Sequence, residues 1–172
     1  MANQTQLTDM EQDTVIITPD ALLAHWQGHR GLTRKIIEAF PDDKLFTYSI
    51  GGMRPFSDLV LEFVSMGVPT LNGIATGKWI PVDQMLHNKG RAKPTTKKEL
   101  LEQWDADTKE INKIWPTVPA HRWQEVDKAF GQWEGPGHWI MFYIIDNEIH
   151  HRGQGYVYLR SLGIEPPAFW DR

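Results

Sequence analysis

The chain has 172 residues, of which 41% are hydrophobic and 23% charged, and its formal net charge is −4. This composition is typical of a single globular domain that can bury a sizeable core. The chain has no cysteine, which excludes disulfides, thiolate metal sites and a cysteine nucleophile. Its basic stretch, residues 89–98, is diluted by Pro94 and threonines and is predicted to be a solvated loop. We therefore expect no nucleic-acid partner.

The N-terminus is predicted to be a poorly ordered tail over residues 1–17, followed by a single domain at 18–172. Residues 1–13 are polar and acidic and lack the apolar segment of a secretory signal. The longest apolar stretch, residues 139–145, is too short to cross a bilayer. These features predict a cytoplasmic location and no membrane partner.

The first helix is predicted to begin at Thr18, with Pro19 in its first turn, and to end before Phe40-Pro41. A second helix is expected after Gly51-Gly52, starting at Arg54-Pro55-Phe56. Pro69 lies inside its apolar pattern and is expected to kink the helix or end it nearby.

A long connection over residues 80–95 leads to Thr96 and Glu99, whose spacing predicts a capping box. The third helix should start there and stop at Pro116. Residues 122–133 alternate weakly between apolar and polar, which predicts a short hairpin or an irregular crossover between the third and fourth helices.

The fourth helix is expected to open at Pro136-Gly137, reach Leu162 and end at Gly163. Four helices of about 20 residues each favour an all-α four-helix bundle. Because two connections are long, an up-down-up-down order with tight turns is not implied.

Polar residues interrupt three of the predicted apolar helix faces. The first helix places His25 and His29 one turn apart, and the second places Glu62 between Leu59 and Met66. On the fourth helix, one face is traced at alternating three- and four-residue spacing. It comprises Ile140, Ile144, Asn147, His151, Gln154, Tyr158 and Ser161. If the three faces converge, the bundle contains a polar cavity, because buried carboxylates and imidazoles need hydrogen bonds or a metal.

Each of these residues also has a simpler interpretation. His25 and His29 are consistent with core or groove histidines whose hydrogen bonds are satisfied, and Glu62 can lie at the edge of its face and reach solvent. His150 is one residue off the polar face and follows Asp146 by four, which favours a surface or orienting pair.

The end of the chain carries the most specific motif. Residues 147–167, NEIHHRGQGYVYLRSLGIEPP, resemble the last helix of the DinB-like (damage-inducible) superfamily, which includes YfiT-like hydrolases and thiol-dependent transferases. Residues 52–59 are similar to the start of that family's second helix, and residues 77–79 to the turn that follows it. The resemblance extends over most of residues 18–170 and implies a DinB/YfiT-like four-helix bundle.

The resemblance also implies a divalent metal site built from three histidines. Their positions correspond to Glu62, Asn147 and His151 in this sequence, so two of the three histidines are substituted. A Glu/Asn/His set is harder than three imidazoles, and the metals to consider are Mn, Fe, Zn and Ni. His25, His29, His150, Gln154 and Tyr158 are the further candidates for the pocket.

Three functions remain open at this point. The first is a metal-dependent hydrolase, or a transferase or isomerase that uses a low-molecular-weight thiol, acting on a small-molecule substrate. Its pocket would be walled by Trp26, Trp79, Trp104 and Tyr158. The second is a metal-free bundle that binds a small molecule or closes its core with the same polar residues. The third is a structural role as a homodimer, which the resemblance implies.

Overall fold

The computed structural model describes residues 15–85, 87 and 93–172. Most of the predicted tail therefore lies outside the described residues, as does much of the predicted basic loop. Four long helices dominate the described part: α1 (Pro19–Ala39), α3 (Phe56–Thr76), α4 (Lys97–Ile114) and α5 (Gly137–Ser161). A short helix, α2 (Asp42–Leu45), lies between the first two and was missing from the prediction.

The long helices form a bundle in which α1 packs against α4 and α5, and α3 packs against the same two helices. Helices α1 and α3 therefore occupy opposite corners, as do α4 and α5. A chain that passes between opposite corners cannot use a tight turn, which agrees with the long connections before α3 and α5. The connection before α4 is also long, although α3 and α4 are neighbours. The predicted all-α four-helix bundle is confirmed.

The predicted helix ends agree closely with the structure. The Thr18 hydroxyl accepts a hydrogen bond from the Ala21 backbone N–H, and Thr96 and Glu99 form the predicted capping box of α4. At the end of α5, Gly163 adopts a left-handed φ of 75°, a conformation that glycine reaches without steric cost.

Helix α3 does not end near Pro69 but continues to Thr76, where Gly77 caps it with a φ of 71°. Two of its last carbonyl oxygens, those of Gly73 and Ile74, accept hydrogen bonds from the Arg122 guanidinium. The same guanidinium is paired with Asp127. Arg122 therefore ties the end of α3 to the segment that follows α4.

That segment contains the predicted hairpin, with antiparallel strands β1 (Val126–Ala129) and β2 (Trp133–Pro136). Its turn includes Phe130 at a φ of 53° and Gly131 at 74°. The Phe130 side chain is nevertheless buried, packing against Trp79 at a centroid distance of 5.4 Å. The hairpin thus covers one end of the bundle with aromatic side chains.

Helix α3 is also long and apolar enough, by length and composition alone, to cross a membrane. However, 61% of that segment is buried inside the bundle. This extent of burial is what the central helix of a packed core shows.

The core consists of two apolar clusters, one near each end of the bundle, and buried charged residues link α1, α4 and α5. Glu148 on α5 is 1% exposed and accepts hydrogen bonds from Trp26 and Thr33 of α1. Arg152, one turn later, donates to the carbonyl oxygen of His29. Arg30 pairs with Asp107 on α4 at 2.9 Å and lies over the Trp104 ring.

We expect Glu148→Ala to lower the free energy of unfolding by about 3–5 kcal/mol, because it removes the acceptor of Trp26 and Thr33 and the negative charge that favours the charged form of the buried Arg152. The measurement is urea unfolding followed by tryptophan fluorescence. Glu165→Gln is the matched control, because Glu165 forms an exposed ion pair with Arg160 and exposed pairs contribute little. Equal effects of the two substitutions would show that the buried carboxylate does not hold the bundle together.

Candidate functional site

The structure brings together Glu62, Asn147 and His151. The Asn147 side-chain amide donates a hydrogen bond to Oε1 of Glu62 at 3.2 Å. Nε2 of His151 lies 3.5 Å from the same oxygen, a distance longer than an ordinary hydrogen bond. The His151 contact is therefore mainly electrostatic. A polar cluster therefore lies between α3 and α5, and its α5 residues, Asn147 and His151, belong to the polar face that the sequence predicted for this helix.

Arg54 completes this cluster and was not predicted from the sequence. Its guanidinium Nη2 lies 2.5 Å from Oε2 of Glu62, and its backbone carbonyl accepts a hydrogen bond from the Tyr158 hydroxyl at 2.9 Å. Arg54 precedes α3, so helical periodicity gave no reason to place it beside Glu62, eight residues later. Tyr158 itself is buried and holds the backbone of Arg54 in place.

The charges in this cluster stabilise one another. The His151 imidazole makes the largest contribution to lowering the pKa of Glu62, to about 2, and Arg54 and Asn147 add to it against the opposing effect of burial. Glu62 in turn raises the pKa of His151, assisted by Gln154. Glu62 is therefore ionised at neutral pH, and the imidazolium form of His151 is favoured.

The orientation of His151 is set by Gln154, whose Oε1 lies 3.1 Å from Nδ1. A carbonyl oxygen can only accept, so Nδ1 carries the proton and donates to it. His150 is exposed, as predicted, and its ring contacts that of His151 at a centroid distance of 4.8 Å.

Glu62 also lies at the polar end of a cavity of about 250 Å³ between α3, α5 and the hairpin. The remaining lining is predominantly apolar and aromatic. It comprises Met66, Val82, Met85, His87, Ala129, Phe130, Trp133, Trp139, Ile140, Tyr143 and Ile144. We call this cavity the Glu62 pocket. Its size and apolar character are those of a site for a small organic molecule.

The aromatic residues that line the Glu62 pocket differ from those predicted from the sequence. Trp26 and Trp104 are buried in the core, and neither Trp79 nor Tyr158 lines the Glu62 pocket. The pocket instead uses Trp133 of the hairpin and Trp139 and Tyr143 of α5. Sequence periodicity distinguishes helix faces, but it did not show that the hairpin folds back over α5.

His25 and His29 do not join the Glu62 cluster, which corrects the expectation that three polar faces meet. Their Nε2 atoms lie 3.2 Å apart, and His29 contacts the guanidinium groups of Arg152 and Arg172. Burial, followed by these positive neighbours, lowers the pKa of His29 to about 4. The two histidines belong to the structural network between α1 and α5, as their simpler interpretation held.

The cluster does not fit the divalent metal that the family resemblance implies. In residues 15–85, 87 and 93–172, no group of three His, Cys, Asp or Glu side chains is placed to hold a metal ion. The cationic Arg54 already occupies one carboxylate oxygen, and the Asn147 amide directs a donor at the other. A divalent ion would have to displace Arg54 and turn the Asn147 amide, and it would gain in return one imidazole, one carboxylate and one neutral amide oxygen.

A family model confirms the class of protein that the fold and motif indicate. The DinB family model matches residues 10–171, and the chain belongs to that family. No curated protein matches the chain significantly.

Two solved structures share the fold. A DinB-like protein from Bacillus cereus ATCC 10987 superposes with a TM-score of 0.69 at 17% identity, covering 88% of this chain and 97% of its own. The DinB-like protein YjoA from Bacillus subtilis gives a TM-score of 0.69 at 20% identity, covering 88% and 99%. At these identities the similarity establishes the fold alone.

We expect the free energy of unfolding to contain a contribution from Glu62 that depends on pH. The pKa of this carboxyl falls from 4.5 to about 2 on folding. Its ionised form therefore stabilises the fold above pH 4.5, and the contribution is lost as the pH falls towards 2. Glu62→Gln should thus be more destabilising at pH 7 than at pH 3, as measured by urea unfolding. Glu165→Gln is the exposed control. A pH-independent difference for Glu62→Gln would contradict the ionic role.

Proposed function

We propose that the protein binds a small, predominantly apolar organic molecule in the Glu62 pocket, and that the Glu62 cluster acts there without a metal. The observation that carries this proposal is the pocket itself, which joins aromatic and aliphatic walls to one ionised carboxylate. A few convergent polar groups in an apolar cavity are the usual composition of a small-molecule site.

The polar cluster supports binding because its charges are fixed in place before a ligand arrives. Arg54 and His151 hold the Glu62 carboxylate from two sides, and Gln154 and the Tyr158 hydroxyl hold those two residues in turn. A preorganised polar group loses less conformational freedom on binding than a mobile one.

The matching experiment is a thermal-shift and fluorescence screen of small aromatic fragments against the full chain. Ligands in the Glu62 pocket should change the emission of Trp133 and Trp139. Ala129→Phe should abolish this response, because Ala129 is buried in the lining and a larger side chain occupies the cavity. Trp170→Phe is the control, since Trp170 is exposed and does not line this pocket. A response that survives Ala129→Phe would place the ligand elsewhere.

The metal-dependent hydrolase or thiol-dependent transferase remains the alternative, and zinc titration separates it from the metal-free proposal. We expect the wild-type protein, purified without a nickel column, to show no rise in melting temperature with Zn²⁺ or Mn²⁺. The double variant Glu62→His, Asn147→His should be stabilised by Zn²⁺, because with His151 it supplies three imidazoles. Tight metal binding by the wild-type protein would overturn the metal-free proposal.

The homodimer and the cytoplasmic location stay predictions. The exposed face of α5 carries Trp139, Phe142, Tyr143 and Val157, a set of apolar side chains that suits association with a second copy.

A further inference from the structure

The lining of the Glu62 pocket also contains an imidazole, that of His87, which follows Met85 after the Val82–Gln84 turn. Its Nδ1 lies 2.5 Å from the hydroxyl of Ser65, a completely buried residue on α3. That hydroxyl is also 2.9 Å from the carbonyl oxygen of Glu62. His87 was not among the residues singled out from the sequence.

These two contacts determine which nitrogen of His87 carries the proton. A carbonyl oxygen can only accept, so the single hydroxyl proton of Ser65 is donated to Glu62. The hydroxyl must then accept from His87, and Nδ1 carries the proton. Burial lowers the pKa of His87, which favours the neutral ring. Its Nε2 is therefore a hydrogen-bond acceptor.

The carboxylate and the imidazole of the described lining thus both accept hydrogen bonds. Glu62 contributes carboxylate oxygens, which accept, and His87 contributes an accepting nitrogen. Four aromatic side chains, Phe130, Trp133, Trp139 and Tyr143, also line the cavity beside its aliphatic residues. Aromatic faces attract cations through their ring quadrupole. The positive groups of the neighbouring cluster, Arg54 and His151, contact Glu62 but do not line the cavity.

We infer that the natural ligand of the Glu62 pocket is a small organic ammonium compound with an aromatic or aliphatic body, whose N–H groups are received by Glu62 and His87. This inference rests on the proposed binding function. Each carboxylate oxygen has two lone pairs, so Oε2 of Glu62 can accept from an ammonium group without displacing Arg54, Asn147 or His151, as a metal ion would have to. The ammonium group thus matches this remaining acceptor, the accepting imidazole and the aromatic walls together. A hydroxyl end group matches only the acceptors, and a carboxylate end group has no proton to donate to either acceptor.

The test uses matched sets of probes that share one body and differ in the end group. The phenyl set is 2-phenylethylamine, 2-phenylethanol and phenylacetate, and the same three end groups are placed on indole and naphthalene. Binding to the wild-type chain at neutral pH is measured by calorimetry. In at least one set we expect the amine to bind about tenfold or more tightly than the alcohol, and the acid to bind most weakly.

The outcomes separate this inference from the proposed function. Sets that bind without an amine preference overturn the ammonium ligand and leave a small-molecule site. If no compound in any set, nor any fragment of the wider screen, binds to the pocket, both the ligand class and the proposed function are wrong. The comparison needs only the wild-type protein, so it does not depend on the folding of any variant.

Two variants test the roles of the acceptors. Glu62→Gln should weaken amine binding about tenfold or more and change alcohol binding much less, because only the amine is charged. Ser65→Ala should weaken both and should alter the ¹⁵N shifts of His87, since Nδ1 loses the partner that fixes its proton. His150→Gln is the exposed control. Unchanged His87 shifts in Ser65→Ala would refute the positioning role of Ser65.

Discussion

The bundle depends on keeping two charges on α5 out of water. Glu148 and Arg152 are 1% and 6% exposed, and each makes its hydrogen bonds with α1, through Trp26, Thr33 and His29. Because a buried charge without partners is strongly destabilising, these contacts permit one rotation of α5 against α1. A rotation that moved Glu148 away from Trp26 would leave both charges unsatisfied. The position of every other α5 side chain follows from this constraint.

Fixing α5 in this way turns Asn147 and His151 towards α3, since each precedes one of the two buried charges by one residue. Glu62 meets them there, and Arg54 reaches the same carboxylate from the segment before α3. Helix α5 therefore carries two polar faces with different consequences. The face towards α1, with Glu148 and Arg152, is buried and stabilises the bundle. The face towards α3 lies beside a cavity, and its carboxylate is held ionised by surrounding groups that have partners of their own.

Local chemistry made the helices predictable. The Thr18 cap, the Thr96–Glu99 capping box and Gly163 each act through hydrogen bonds or backbone freedom within a few residues, so the sequence contains the whole interaction. Periodicity placed Asn147 and His151 on one face for the same reason. The pocket walls depend instead on how distant segments meet. Trp133 reaches the site because Arg122 fixes the hairpin to the end of α3, and His87 because its connection folds back onto Ser65. The spacing of residues in the sequence does not predict that either Trp133 or His87 lies in the pocket.

The substitutions at the family's metal positions change what the site can attract. Three neutral imidazoles present lone pairs to a common point, and a metal cation satisfies all of them at once. Glu62, by contrast, brings its own negative charge, and Arg54, Asn147 and His151 already surround it, so the cluster holds together without a metal ion. Asn147 donates a hydrogen bond to Glu62. A histidine at position 147 could do the same only with a protonated nitrogen, and a protonated nitrogen cannot bind a metal. At these three positions of the fold, this chain therefore has side chains that pair with one another instead of with a metal. The Glu62 carboxylate of this cluster also lines the aromatic cavity.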